Sequence, residues 1–193
     1  LKGFHHLTAV TADAPGNHKF YTDTLGLRLV KKTVNQDDTS AYHLFYADGV
    51  GSPGTDITFF DWPVGKERRG THSVTRTGFR VASEDALNYW QHRLTMNGVK
   101  QDKIADVAGR PTLAFEDHEG QRLSFTVDAE GEAHAWDKST VPAEHQIRGL
   151  GPITMSVPDI RHTDMVLTKL MNMTPTGSFA GMAGRSDPSS ARS

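Results

Sequence analysis

Residues 3–26 read GFHHLTAVTADAPGNHKFYTDTLG, and the fold turns on how this stretch is read. Its first part alternates. Phe4, His6, Thr8 and Val10 fall on one side of an extended chain, and His5, Leu7, Ala9 and Thr11 fall on the other. Asp13 stands just before Ala14-Pro15, a helix N-cap followed by proline in the first turn. The helix carries Phe20, Tyr21 and Leu25 and stops at Gly26, a residue type suited to the left-handed position after a helix. Three strand-like segments follow, at 27–34, 41–47 and 56–60. Asn35-Gln36-Asp37-Asp38 and the run from Asp48-Gly49 to Pro53-Gly54 supply the turns between them. The unit reads β-α-β-β-β.

The order repeats after a connector, Trp62-Pro63 and Gly65-Lys66-Glu67-Arg68-Arg69-Gly70. Segment 74–81 predicts a strand. Ser83 caps a helix bearing Leu87, Trp90 and Leu94 that ends at Gly98, and strands are expected at 101–107, 111–116 and 122–127. Residues 129–148 are polar and predict a linker. A strand at 149–157 and a helix capped by Asp159 then repeat the start of the chain. Thr8 matches Thr154, Asp13 matches Asp159 and Thr22 matches Thr168, each offset by 146 residues. The segment from Pro175 onward is rich in Gly, Ser, Ala and Arg and predicts no strand of useful length. The expected class is α+β. Modules 1–61 and 72–128 form one complete domain over 1–128, 129–148 is a linker, 149–174 starts a second domain, and 175–193 is a disordered or altered tail.

Composition narrows function. With 36% hydrophobic and 23% charged residues the chain can build a core. Lys plus Arg number 21 against 23 Asp plus Glu, a net charge of -2, which argues against a strongly basic nucleic-acid binder. The chain has no cysteine, so disulfides, thiolate zinc sites, iron–sulfur clusters and cysteine nucleophiles are excluded. Any transition-metal site has to be built from carboxylates and the ten histidines. No apolar run approaches the roughly 20 residues that span a bilayer, and Leu1-Lys2-Gly3-Phe4 has no signal-peptide character. A cytoplasmic protein without a membrane partner is expected.

Several linked motifs resemble the vicinal oxygen chelate superfamily, which includes glyoxalases, bleomycin-resistance proteins and extradiol dioxygenases. They are Gly3-Phe4-His5-His6-Leu7-Thr8, Phe20-Tyr21 with Leu25-Gly26, and Leu29-Val30-Lys31-Lys32-Thr33-Val34-Asn35. Tyr42-His43-Leu44-Phe45-Tyr46-Ala47-Asp48, Gly51-Ser52-Pro53-Gly54-Thr55 and Thr58-Phe59-Phe60 continue the series. The narrower resemblance is to the ring-cleaving, hydroquinone-type dioxygenase branch. It implies a vicinal oxygen chelate fold of paired β-α-β-β-β modules and a mononuclear Fe(II) held by two His and one carboxylate, with open positions for an aromatic diol and O2. Mn(II), Zn(II) and Ni(II) are the alternative metals. It implies His6 as a metal ligand and His5 as a residue near the substrate or behind the ligands. The remaining His and Glu ligands are expected from outside this chain.

Other residues read more plainly. His43 is expected to pack or to bond a neighbouring strand. Near His72, where relatives place a ligand, the chain reads Thr75-Arg76-Thr77-Gly78, and Ser124 stands where many carry Glu. His18, His92, His118, His134, His145 and His162 are expected at the surface, as is the Arg28, Lys31, Lys32 cluster. Three activities remain open: a ring-cleaving Fe(II) dioxygenase acting on hydroquinone- or catechol-type aromatics, a metal-dependent glyoxalase-like isomerase or transferase, and a non-catalytic small-aromatic binder or inactive fragment. Uncovered sheet edges favour a homo-oligomer.

Overall fold

In the computed structural model, residues 3–179 and 182–186 are described. Strand β1 (His6–Thr11) leads into helix α1 (Ala14–Lys19), whose last turns widen into a π-helical turn over Phe20–Thr24. Asp13 caps it as its spacing predicts, its Oδ1 accepting from the Gly16 amide at 3.1 Å. β2 (Arg28–Val34), β3 (Tyr42–Ala47) and β4 (Asp56–Asp61) complete the first module. They form a sheet in the order β1-β4-β3-β2, with β1 parallel to β4. The second module follows: β5 (Ser73–Val81), α2 (Glu84–Met96), a short β6 (Ala105–Val107), β7 (Arg110–Glu116) and β8 (Arg122–Val127). The mixed α+β class of β-α-β-β-β modules is what the sequence predicts.

The third unit repeats the first down to its irregularities. After β9 (Gly149–Ser156), α3 (Ile160–Met165) passes into a second π-helical turn over Val166–Leu170, and the bounds of these two helical segments are displaced by 146 residues from their counterparts. Thr22 Oγ1 donates to the His18 carbonyl at 2.7 Å, and Thr168 Oγ1 donates to the Asp164 carbonyl at 2.7 Å. Gly26 has φ 71° and Asn172, its counterpart, has φ 56°. Both end the helix in the left-handed region, which glycine and asparagine tolerate best.

β9, expected to open a second domain, adds antiparallel to β5 and extends the second module's sheet to β6-β7-β8-β5-β9. Two other expectations are corrected. The 129–148 segment is a packed strap rather than a spacer. Val141 and Ile147 are buried in the core, Gln146 closes the strap on Trp136 and Val141, and the His134 carbonyl accepts from the Gly49 amide at 2.8 Å. Its apolar residues follow no period, so only tertiary burial reveals them. The segment after Pro175 was expected to lack strands, yet β10 (Thr174–Phe179) pairs antiparallel with β11 (Met182–Ser186). Glycine and serine are weak strand formers; β10 nonetheless begins 146 residues after Arg28, the first residue of β2. Residues 187–193, the rest of that expected tail, lie outside the described residues.

A single buried cluster joins the modules. Tyr21 on the first helix stacks on Tyr46 at 5.3 Å and meets Phe59 at 4.7 Å, while Trp90 on α2 stacks on Phe125 at 4.4 Å. The β7–β8 turn clasps the start of the first helix. Glu119 accepts from the Thr11 hydroxyl and the Ala12 amide, and the Tyr21 hydroxyl donates to Asp117 at 3.2 Å. Asp117 Oδ1 also takes the Glu119 and Gln121 amides, each at 2.9 Å.

Burial pushes the Asp117 carboxyl above its usual range, against the pull of those donors. The sign follows: the protonated form is favoured in the fold, so this residue's contribution is intact below the ordinary carboxylate pKa and is lost as pH rises through the raised one. Asp117→Asn keeps an acceptor for the two amides and removes the ionisation. Urea unfolding midpoints measured from about pH 4 to pH 7 should therefore rise in the variant relative to wild type as pH increases. A difference independent of pH would overturn this reading.

Candidate functional site

β1 sets the site. Leu7, Ala9 and Thr11 turn into the core, and His6, Thr8 and Val10 turn to the open face of the first sheet. The period-two reading holds from His6 onward. It fails one residue earlier, because Gly3–His5 bends before the strand begins. His5 therefore does not point away from His6. Its Nδ1 lies 3.1 Å from His6 Nδ1, with the rings edge to face at 5.3 Å. The His5 carbonyl accepts from the Gly54 amide at 2.7 Å, which holds the bend.

Across from His6 in the parallel register stands Asp56 on β4. Burial raises the Asp56 carboxyl pKa, the His6 and His5 charges oppose that rise, and its Oδ1 is buried without a hydrogen-bond partner. The register then places Thr8 beside Thr58 and Val10 beside Phe60, and on β3 it sets His43 against Phe60 and Phe45 against Thr58. The result is an aromatic floor. The His43 ring lies between Phe45 at 4.0 Å and Phe60 at 4.1 Å, and Trp62 stacks on Phe60 at 4.9 Å. Lys31 Nζ hangs 5.8 Å over the Phe45 ring. Burial first, then the neighbouring His6 and Lys31 charges, hold the His43 imidazole below its usual pKa.

His43 bonds the neighbouring strand, as its sequence position predicts, through Thr58. Asp56, Thr58, Phe45 and Phe60 are the residues that sequence reading missed as parts of a site. Their parity along 41–47 and 56–60 was visible, but the register aligning them with His6 was not.

A cleft of about 610 Å³ runs along the edge of β1, where no strand pairs among the described residues. Leu7, Thr8 and Val10 form one wall, and Arg69, Arg76 and Arg122 stand on the other. On the second module the edge of β5 is covered by β9. Gly78 and Ser124 are buried side by side in register, and β9 runs across Gly78. His118 is exposed, as expected, while His145 is half-buried and stacked on Tyr89 at 4.4 Å.

A facial metal site needs three protein donors around one ion. Among the described residues no group of three or more His, Asp or Glu could hold an ion. The described residues therefore do not by themselves complete such a site.

The geometry can be set beside known proteins. The chain is 46% identical over 177 residues to the "putative ring-cleaving dioxygenase MhqA" of Bacillus subtilis (strain 168), covering 90% of this chain and 56% of that protein. It is 30% identical over 185 residues to the chlorohydroquinone/hydroquinone 1,2-dioxygenase of Sphingobium indicum, covering 92% and 56%. The chain thus spans about half the length of these curated relatives. The crystal structure of a "putative dioxygenase" from Bacillus subtilis superposes with a TM-score of 0.88 at 34% identity, covering 95% of this chain and 59% of that one. A glyoxylase/bleomycin resistance protein/dioxygenase domain from Frankia sp. EAN1pec shares the fold at a TM-score of 0.55 and 19% identity, covering 69% of this chain and 97% of that one. No helix among the described residues is long and apolar enough to cross a membrane. The family profile matches residues 3–125, from β1 into β8, and the chain belongs to the Glyoxalase/Bleomycin resistance protein/Dioxygenase superfamily.

Proposed function

We propose that this chain supplies part of the active site of a ring-cleaving dioxygenase acting on hydroquinone- or catechol-type aromatics with O2. The observation that carries the reading is His6 on an open face whose floor is His43, Phe45, Phe60 and Trp62. The similarity to ring-cleaving relatives supports it. Fe(II) is the proposed metal, with Mn(II), Zn(II) and Ni(II) as alternatives, and its other protein donors come from outside the described residues. A bound metal of this kind would supply Lewis acidity and a meeting point for the ring oxygens and O2.

The chain's own residues do simpler work. The aromatic floor offers flat faces against which a ring can stack. Lys31 brings a positive charge that favours a phenolate over a phenol. His5, with its ring against that of His6, is placed to restrict how the His6 imidazole turns or to meet the substrate.

The test is metal content after anaerobic reconstitution with Fe(II), wild type beside His6→Ala, followed by oxygen uptake with hydroquinone. Iron held by the wild type and lost from the variant, with uptake that follows the iron, is the expected result. Iron equally present or equally absent in both would overturn the assignment of His6. Iron held through His6 without oxygen uptake would favour a glyoxalase-like isomerase.

A further inference from the structure

A polar file crosses three strands on the open face. Thr58 Oγ1 on β4 lies 2.9 Å from His43 Nε2 on β3 and 2.9 Å from Thr8 Oγ1 on β1. Thr58 is fully buried, so its own hydroxyl meets no solvent. A hydroxyl has one proton to give. Thr58 donates that proton to Thr8, so its second bond is one it accepts, and His43 must carry its proton on Nε2. The Thr8 oxygen is then already an acceptor, and its own proton has no acceptor among the described residues. Thr8 lines the cleft and shares the face of His6 two residues away.

We propose that His43, acting through Thr58, is a positioning residue that makes the Thr8 hydroxyl a hydrogen-bond donor to an oxygen of a hydroxylated aromatic ligand beside His6. The inference rests on the aromatic-ligand reading above. His43 suits the task because Phe45 and Phe60 hold its ring on both sides, which restricts it to one orientation. Without the file the Thr8 hydroxyl turns freely, and a ligand oxygen pays the entropy of fixing it. A file that merely joined strands would stabilise the sheet and leave ligand affinity alone.

Two measurements on the full chain separate these roles. Long-range nitrogen–proton NMR reads the His43 tautomer, and a titration with 1,4-dihydroxybenzene followed by NMR reads the affinity. The Nε2–H tautomer is expected in the wild type. The Kd is expected to rise about tenfold in Thr8→Val, the size of one hydrogen bond. It rises about threefold to tenfold in Thr58→Val and His43→Phe, where the bond survives with less order. His43→Gln, which keeps an N–H donor at similar reach, restores wild-type affinity. An Nδ1–H tautomer, or an unchanged Kd in Thr8→Val, overturns the inference while leaving the aromatic-ligand reading in place. No binding to a wild type that shows the Nε2–H tautomer defeats the aromatic-ligand reading, and this inference with it.

Discussion

Trp90→Ala is expected to lower the unfolding free energy by about 3–5 kcal/mol, a large share of what holds a domain of this size together. Trp90 is wholly buried, and its indole stacks on Phe125 at 4.4 Å with the planes 27° apart. Truncation opens a cavity against Phe125, within the buried cluster that also holds Leu87 and Leu94. The indole N–H also donates to the His145 carbonyl at 2.8 Å. That bond ties the 129–148 strap to α2, and its loss leaves a partly buried acceptor unpaired. Trp90→Phe divides the effect: it keeps most of the packing, gives up the hydrogen bond and should cost about 1–2 kcal/mol. Urea unfolding curves measure both. A loss under about 1 kcal/mol in Trp90→Ala would show that neither the stack nor the strap contact matters.

Gly78→Ala is expected to loosen β9 from the sheet at a cost of about 1–3 kcal/mol, the range for adding a methyl where no space exists. A Cβ at Gly78 would stand 2.5 Å from the Pro152 carbonyl oxygen and 3.0 Å from the Pro152 nitrogen. The opposing atoms are backbone, so no rotamer change relieves the clash. Strand β9 has to shift, and with it the pairs Thr77↔Ile153 and Arg76↔Thr154. Hydrogen exchange at β9 amides opposite β5, such as Ile153, should quicken while amides of α2 keep their protection. Gly65→Ala is the control, because nothing lies within 4 Å of its added methyl. Equal exchange in the wild type and Gly78→Ala would mean that β9 is not held at this point.

Much of this architecture is legible in local chemistry. Asp13 and Ser83 cap their helices as their positions predict. Gly26 and Gly98 end them with φ of 71° and 65°. Alternation separates the core-facing Leu7 and Ala9 from the outward His6 and Thr8. The 146-residue offset appears first in three matched pairs and then in the bounds of whole elements. Each of these depends on residues within about one turn or one strand of each other, where sterics and hydrogen bonding act through the backbone itself. The first-strand histidine was legible for the same reason, since a motif and a period place it.

The site's surroundings were not. Thr58 meets His43 across 15 residues and Thr8 across 50, and no local pattern states which rungs of β1, β3 and β4 align. The closeness of His5 to His6 depends on a bend held by the Gly54 amide, a contact from the far side of the module. Val141 and Ile147 look like isolated apolar residues in a polar segment until the core cluster buries them.

From sequence alone, then, come the modules, their caps and turns, the repeat and the facing of His6, because each is settled by neighbours along the chain. Tertiary structure decided that β9 joins β5, that the strap is core, and that an aromatic floor and a threonine file lie beside His6. Those outcomes depend on which free edge and which uncovered apolar face lie near in space. Such long-range pairing is won by burial and register after the chain has folded back on itself.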